Sequence, residues 1–409
     1  MEQINHKRAR AREIFQAGVA AADPFAAVAA ALEARPVDTA KKTLVLAVGK
    51  AAMRMAKAAK ERVSQSAEII VITNSENAAS NGFAEVFSAG HPVPDVAGLA
   101  AAQHVITKLH GLGETDQVLA LISGGGSAML PAPPAGITLA DKAEVNQILL
   151  TCGAEIGEMN LVRQQLSTLK GGGLLRIAAP AKVRALILSD VVGDDLRIVA
   201  SGPTVGPVGT RAQAVEVLKT YGVWAQMPVS VQTFLSKTAP DLQPLPDADN
   251  QLIGSNQISL QAMANQAPHA RIHPNPLIGD VTQAAEIISK YSDGITLFGG
   301  ETTVKVTGTG LGGRNQELAL RVALLAEKQN WKAGWVFLSG GTDGRDGPCD
   351  AAGGIVDGGT LTRMRSAGVS PQEMVDSNDS YHALQASGDL LMTGATGTNV
   401  ADLQVLIRP

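Results

Sequence analysis

The residues best suited to chemistry stand just after short apolar runs. QVLALI (Gln117 to Ile122) leads into Ser123-Gly124-Gly125-Gly126-Ser127. Three glycines let the backbone approach a ligand closely, and successive N–H groups between two serines make a phosphate cradle. A plain flexible turn is the alternative. TLVLAV (Thr43 to Val48) ends in Gly49-Lys50. That lysine is placed to neutralise a phosphate or an organic carboxylate, or else is simply solvated. It is not part of a P-loop, because G-x-x-x-x-G-K-[ST] is absent. VRALILS (Val183 to Ser189) ends in Asp190, with Asp194 and Asp195 close behind. An acid closing a buried strand is a usual Mg²⁺ ligand in phosphoryl transfer, although an Asx turn or helix cap needs the same residue. Arg163 and Lys170 are spaced about two helical turns apart, so they form either a second basic cluster or a solvated face.

The second half carries more such turns. Gly299-Gly300-Glu301 follows ITLF, Thr342-Asp343-Gly344-Arg345-Asp346 follows VFLS, and Asn378-Asp379-Ser380-Tyr381 precedes a short helix. Thr393 to Asn399 follows DLLM. VTGTGLGGRNQE (Val306 to Glu317) places Gly308, Gly310 and Gly313 in G-x-G-x-x-G spacing, which raises a nicotinamide site and hence an oxidoreductase. Two features oppose that reading. A ribose-binding acid belongs about 20 residues on, yet the first acid after WVFLS is Asp343. The helix also opens on Arg314, Asn315, Gln316 and Glu317 where small or apolar residues are normal. The glycines, with the Arg-Asn-Gln-Glu behind them, then fit some other anionic ligand better than a dinucleotide.

These turns need a scaffold. The 409 residues are 45% hydrophobic and 18% charged, with 43 glycines and few aromatics, which suits a globular protein with many tight strand-to-helix turns. TLVLAV, EIIVIT, QVLALI and VRALILS are nearly continuous apolar runs, as expected of parallel strands buried on both faces. Helical patterns at Ala9 to Leu32, Ala51 to Val63 and Val96 to Leu109 alternate with them, predicting βαβ units and a doubly wound sheet. After a Pro- and Asp-rich stretch, Lys237 to Asn250, the pattern resumes with QLIG, ITLF, TTVKVT, a helix from Asn315 to Gln329, GWVFLS, DLLMT and LQVLIR. The expectation is two α/β domains, residues 1–245 and 246–409, with the last strand free to return to the first domain. A net charge of −4 and a pI near 6.0 argue against a nucleic-acid or anionic-membrane surface. Two cysteines without C-x-x-C spacing, a charged N-terminus and no long apolar window point to a cytoplasmic protein.

The longer stretches resemble a known family. GGETTVKVTGTGLGGRNQELAL, GTDGRDGPCDAAGGIVD, NDSYHAL and TGATGTNVADL are similar to MOFRL-type glycerate 2-kinases. So are LAVGKAAMRMA, LISGGGSAMLPAP, MNLVRQQLSTLKGGGL and LILSDVVGDDLRIVASGPT. The resemblance covers nearly the whole chain; Ala395 and Ala401 depart where the family often has Pro and Asn. It implies a Rossmann-like N-terminal domain and a smaller C-terminal MOFRL domain, with the active site in the cleft between them. It implies transfer of the ATP γ-phosphoryl group to the 2-hydroxyl of D-glycerate with Mg²⁺. Some members bear the name hydroxypyruvate reductase, and an NAD(P)H-dependent reductase is the competing activity. Lys50 and Arg314 match the family's functional lysine and arginine. Glu301 and Asp343 become candidates for the base, Ser123 to Ser127 for the ATP cradle, and Asp190 for Mg²⁺. Asn315, Glu317 and Asn378 become candidates for the substrate. Small-molecule substrate aside, no nucleic-acid or membrane partner is expected, and a homodimer is left open.

Overall fold

The structure, a computed structural model, describes residues 2–79, 82–237 and 244–409. The chain forms two compact units, Pro24–Ile253 and the segment up to Asp23 together with Gly254–Pro409. The first holds a six-stranded sheet of β1 (Thr43–Val48), β2 (Glu68–Thr73), β3 (Glu85–Ser88), β4 (Gln117–Ile122), β5 (Lys182–Leu188) and β6 (Ala248–Gly254), ordered β3-β2-β1-β4-β5-β6. The pairs from β3 through β5 are parallel. Leu46, Ile70, Ala120 and Ile187 pack with helical Val105, Leu109 and Leu174 in one core. Strand β3 was not legible as a strand: it is short, at the edge and only half buried.

The register decides where chemistry can happen. Val48 lies opposite both Ile72 and Ile122, and Ile122 opposite Ile187. The turns after β1, β4 and β5 therefore emerge side by side at the carboxyl edge. The chain runs outward from β1 in one direction through β2 and β3, and in the other through β4 and β5. A crevice outside the strand ends at such a reversal is where open α/β sheets bind ligands. Helices after β4 and after β5 form a layer in which Val145, Leu149, Met159, Val162, Leu166 and Leu218 make a second core. Its helix Leu139–Thr151 starts on a reciprocal cap between Thr138 and Asp141.

The second unit has a seven-stranded sheet. Its strands are β7 (Arg271–Ile272), β8 (Leu277–Asp280), β9 (Gly294–Thr303), β10 (Val336–Gly341), β11 (Gly353–Asp357), β12 (Leu390–Leu391) and β13 (Asp402–Arg408). The order is β12-β11-β10-β13-β9-β7, with β8 also on β9. Unlike the first sheet it is mainly antiparallel; only β7 and β8 run parallel to β9. Helices cover both faces all the same, so its strands are as uniformly apolar as parallel ones. Strand β13 sits between β10 and β9, inside this sheet.

Three expectations change in detail. The helical stretch expected from Ala9 to Leu32 is two helices, Glu2–Ala21 and Pro24–Ala34, because a proline at position 24 starts a new helix. The first of them belongs to the second unit: Ala11, Ile14 and Phe15 pack with Met263, Leu338, Leu403 and Val405. The chain divides at Ile253 because β6 is the edge of the first sheet. Of the Pro- and Asp-rich stretch 237–250, residues 238–243 lie outside the described residues, and its last three begin β6. Finally, β9 runs through Gly299, Gly300 and Glu301, so these residues are strand and not a turn, and TTVKVT is no separate strand. Among the described residues, no single helix is long and apolar enough to cross a membrane.

Candidate functional site

In the first unit the turns after β1 and β4 are tied together. The Lys50 N–H donates to the Gly124 carbonyl at 2.9 Å. The Ser123 hydroxyl donates to the Val48 carbonyl at 3.2 Å and accepts from the Ala51 N–H at 3.1 Å. Ser123 is buried and fully engaged, so it braces the turn from behind. Ser127 is engaged too. Its oxygen accepts from the Lys170 ammonium at 2.7 Å and lies 2.9 Å from the Ser201 hydroxyl, which in turn donates to Asn160 at 3.1 Å. The expected hydroxyl donors are thus turned toward the protein. What the turn offers outward is backbone: among the described residues no backbone acceptor is found for the N–H of Gly124 or Gly125. Gly125 is in the left-handed region at φ 83°, where glycine is unstrained.

Asp190 follows β5 directly beside this turn. A Cβ on Gly124 would lie 2.0 Å from its Oδ2, so the carboxylate occupies space that only a glycine leaves. Burial raises the Asp190 pKa, and the nearby Lys50 charge opposes that. Lys50, Gly124 and Asp190 are therefore brought together at one edge of the sheet. Asp195 is not part of this group: it pairs with Arg197 at 2.7 Å on the surface. A Mg²⁺ ion needs only one or two protein carboxylates when phosphates supply further oxygens, and Asp190 against the glycine turn fits that pattern.

In the second unit Arg314 opens the helix Arg314–Lys328. Its Nε and Nη2 donate to the two oxygens of Asp402, at 2.6 and 3.0 Å, and its Nη1 lies 3.1 Å from Glu301. Burial works against the cation, but the hydrogen bonds and charge of Asp402, with Glu301 and Asp346, outweigh it and hold the Arg314 pKa above the ordinary arginine value. Asp402 was missed by sequence reasoning. It is the first residue of β13 and looks like one more polar turn residue; its importance comes from complete burial beneath Arg314. Asp343 accepts from the Arg345 N–H at 3.0 Å and bears on Asp402 electrostatically.

The glycine-rich approach to this helix overturns the ligand-room expectation. Added Cβ atoms at Gly308, Gly310 and Gly313 would meet the Ser377 carbonyl at 2.1 Å, Asp379 at 2.4 Å and Asp346 at 2.4 Å. The glycines admit other parts of the protein. The N–H groups are taken as well: Gly308 donates to Asn378, Gly310 to Ser377 and Leu311 to Asp379. At the helix N-terminus, Asn315 and Gln316 donate their N–H groups to the Asp346 carboxylate at 3.0 and 2.8 Å. A dinucleotide turn presents those groups to a pyrophosphate; here a buried carboxylate fills that place. Burial raises the Asp346 pKa to about 6, with the two N–H bonds opposing and Asp402 reinforcing the shift.

Asn315, Glu317 and Asn378, expected at the substrate, are also internal. Asn315 links Asp346, Asp402 and Ser339. Glu317 pairs with Arg321 at 2.7 Å and accepts from Asn378 at 3.1 Å. Asn378 also accepts from the N–H of Thr307 at 2.8 Å. All three are buried and brace the Arg314 region. Glu301 is half exposed, and Asp343 is partly so.

Taken together, one unit carries a lysine-flanked glycine turn at a strand-order reversal, and the other an arginine held by buried Asp402 and half-exposed Glu301, the equipment of a phosphotransferase on an α/β scaffold. Residues 10–236 match the family model described as a domain of unknown function, DUF4147, and residues 294–402 match the MOFRL family. A D-glycerate 2-kinase of Thermotoga maritima is 39% identical, over 96% of both chains. A protein of Agrobacterium vitis, provisionally named a hydroxypyruvate reductase, is 39% identical over 97% of this chain and 93% of its own. The crystal structure of a Thermotoga maritima glycerate kinase superposes with a TM-score of 0.91 at 37% identity, covering 99% of this chain and all of that one. The chain belongs to the MOFRL-type glycerate 2-kinase family.

Proposed function

We propose that the chain transfers the γ-phosphoryl group of ATP to the 2-hydroxyl of D-glycerate, giving 2-phosphoglycerate and ADP. The observation that carries this reading is the glycine turn, with no backbone acceptor found for the Gly124 and Gly125 N–H groups among the described residues, beside Lys50 and Asp190, in a chain alike over 96% of its length to a D-glycerate 2-kinase. Phosphoryl transfer asks the protein mainly for alignment and charge neutralisation. The backbone of Gly124, Gly125 and Gly126 and the Lys50 ammonium receive the ATP phosphates. Asp190 would hold Mg²⁺, which supplies further neutralisation of the phosphate oxygens. Arg314, oriented by Asp402, presents its remaining exposed edge to the glycerate carboxylate or the transferring group, as its planar fork suits either. Glu301 or Asp343 takes the hydroxyl proton.

The reductase reading loses its structural support, because the G-x-G-x-x-G turn has no free N–H cradle at Gly308, Gly310 or Leu311. The test is ADP release with D-glycerate, ATP and Mg²⁺, with product analysis to fix the phosphorylated hydroxyl, set beside NADH oxidation with hydroxypyruvate. NADH oxidation without ADP formation would refute the kinase reading. In the same assay Lys50→Ala and Arg314→Ala each lose roughly two orders of magnitude or more in turnover, and near-normal rates in both remove them from the mechanism.

A further inference from the structure

A cavity of about 170 Å³ opens in the first unit beside the glycine turn, lined by His91, Gly125, Ser127, Lys142, Arg163 and Lys170 among others. Its charge is one-sided. Three cationic side chains face it, and among the described residues none of them forms an ion pair. Their partners are neutral. Lys142 donates to the Leu166 carbonyl at 2.6 Å, Arg163 to the Asn146 side chain, and Lys170 to the Ser127 hydroxyl at 2.7 Å. Each keeps donors in reserve, since an ammonium has three and a guanidinium five.

Such an arrangement is costly unless something offsets it. Lys170 is almost fully buried. Burial, with the charges of Lys142 and Arg163, drives its pKa well below the usual lysine value. Burial and Arg163 bring Lys142 to about 8. Buried cations are ordinarily paired. Here sequence has placed three from separate elements, the helices Leu139–Thr151 and Ile156–Gln165 and the turn before Gly173–Ala178, around one small cavity. A single carboxylate offers only two acceptor oxygens to donors from three separate elements. A phosphate, with two or more charges and three or more acceptor oxygens, matches that set of donors and favours their charged forms.

We propose that Lys142, Arg163 and Lys170 form a phosphate pocket that holds a phosphate-bearing participant of the reaction, either the nucleotide's polyphosphate or the phosphorylated product. The inference rests on the kinase reading for the identity of those ligands and on the cavity alone for its chemistry. Lys170 connects the pocket to the glycine turn through Ser127 and Ser201. Occupancy of the pocket therefore bears directly on the turn.

The test is equilibrium binding by calorimetry, without turnover, on the full chain. The probes are pyrophosphate, ADP, 2-phosphoglycerate and D-glycerate, and the variants are K142M, R163Q and K170M, each checked for native circular dichroism. Each variant is expected to weaken pyrophosphate and one of the two organic phosphates by roughly tenfold or more, the worth of a lost charge-assisted hydrogen bond. Glycerate affinity stays near wild type. Loss at ADP assigns the pocket to the nucleotide, and loss at 2-phosphoglycerate alone assigns it to the product. Should K170M misfold, R163Q and K142M carry the test. Unchanged phosphate affinity in folded variants overturns the proposal, as does wild-type protein that binds no phosphate probe, or a loss confined to glycerate. The two readings fail separately. A chain that makes no phosphoglycerate yet binds pyrophosphate in a Lys170-dependent way refutes the kinase reading and keeps the pocket. An active kinase whose variants bind normally does the reverse.

Discussion

Replacing Asp402 with asparagine tests whether Arg314 is aimed by the acid beneath it. The Asp402 carboxylate receives three hydrogen bonds: two from Arg314 and one from the Asn315 amide at 2.9 Å. Asparagine keeps the volume and one acceptor oxygen but turns an amino group toward a ring of donors. Removing one partner of a buried ion pair costs about 3–5 kcal/mol. The Arg314 side chain is 34% exposed and keeps Glu301 at 3.1 Å, so solvent and that second acid soften the loss. The expected cost is therefore about 2–3 kcal/mol, discounted as partly exposed pairs require. Urea denaturation reads it directly. Activity should suffer beyond stability: an arginine free to pivot loses the alignment that phosphoryl transfer depends on, which lowers kcat by roughly a hundredfold. On the proposed ATP site at Lys50 and the glycine turn, the KM for ATP should hardly move. The ADP-coupled assay at saturating substrate separates the two effects. The reasoning fails if Asp402→Asn unfolds like an ordinary surface variant, within about 0.5 kcal/mol, or if kcat holds while KM for ATP rises.

Three further outcomes follow from the same geometry. The Asp346 carboxyl is shifted up to about 6 in the folded chain from an ordinary 3.8. Its neutral form is favoured by folding, so its contribution is full below about pH 4 and lost as pH rises through about 6; the spread is worth on the order of 3 kcal/mol. Urea midpoints taken from pH 4 to 7.5 should show this fall, and Asp346→Asn should flatten it. Gly310→Ala would place a Cβ 2.4 Å from Asp379; thermal unfolding should register a loss of about 1–3 kcal/mol with no selective change in nucleotide affinity. Arg8 in the first helix bridges Asp357 and Asp389, both buried. Arg8→Ala leaves Arg363 to hold both acids, and urea denaturation should show a loss of about 2–3 kcal/mol, below the cost of a fully broken buried pair.

What could be read from sequence follows from the range of the forces involved. Strands β1, β2, β4 and β5 announced themselves as unbroken aliphatic runs, and the turns that end them located Lys50, Gly124 and Asp190 correctly at one edge. A periodic pattern says that a face is buried, but not against what. The helix Glu2–Ala21 has an apolar stripe, yet its partners Leu403 and Val405 stand at the other end of the chain. The antiparallel pairing of β13 between β10 and β9 was hidden for a related reason. Strands covered by helices on both sides carry no alternation to distinguish them from parallel ones. Polar side chains were hardest. Asn315, Glu317, Asn378, Ser123 and Ser127 have the chemistry of ligand-binding groups. Only the partner each one meets decides whether it faces inward, and Asp402 escaped notice because burial, which gives it its role, leaves no mark on its neighbours in sequence.

Two glycine-rich turns ahead of helices invite the same electrostatic argument and come out opposite. In the stretch Gly308 to Gly313 the N–H groups of Gly308, Gly310 and Leu311, and those of Asn315 and Gln316 at the start of the helix, are satisfied from within, by Asn378, Ser377, Asp379 and above all the Asp346 carboxylate. A pyrophosphate arriving there would have to displace a buried acid and would meet Asp402 and Glu301 close by. At Gly124 and Gly125, among the described residues, no acid accepts from the N–H groups. Lys50, Lys142, Arg163 and Lys170 are among the charges near this turn, with the Asp190 carboxylate against it. A net charge of −4 provides no general attraction for anions, so an anionic ligand must be drawn by local imbalance. Glycine spacing alone pointed to the first turn. The distribution of acids supports the proposed phosphate site at the second.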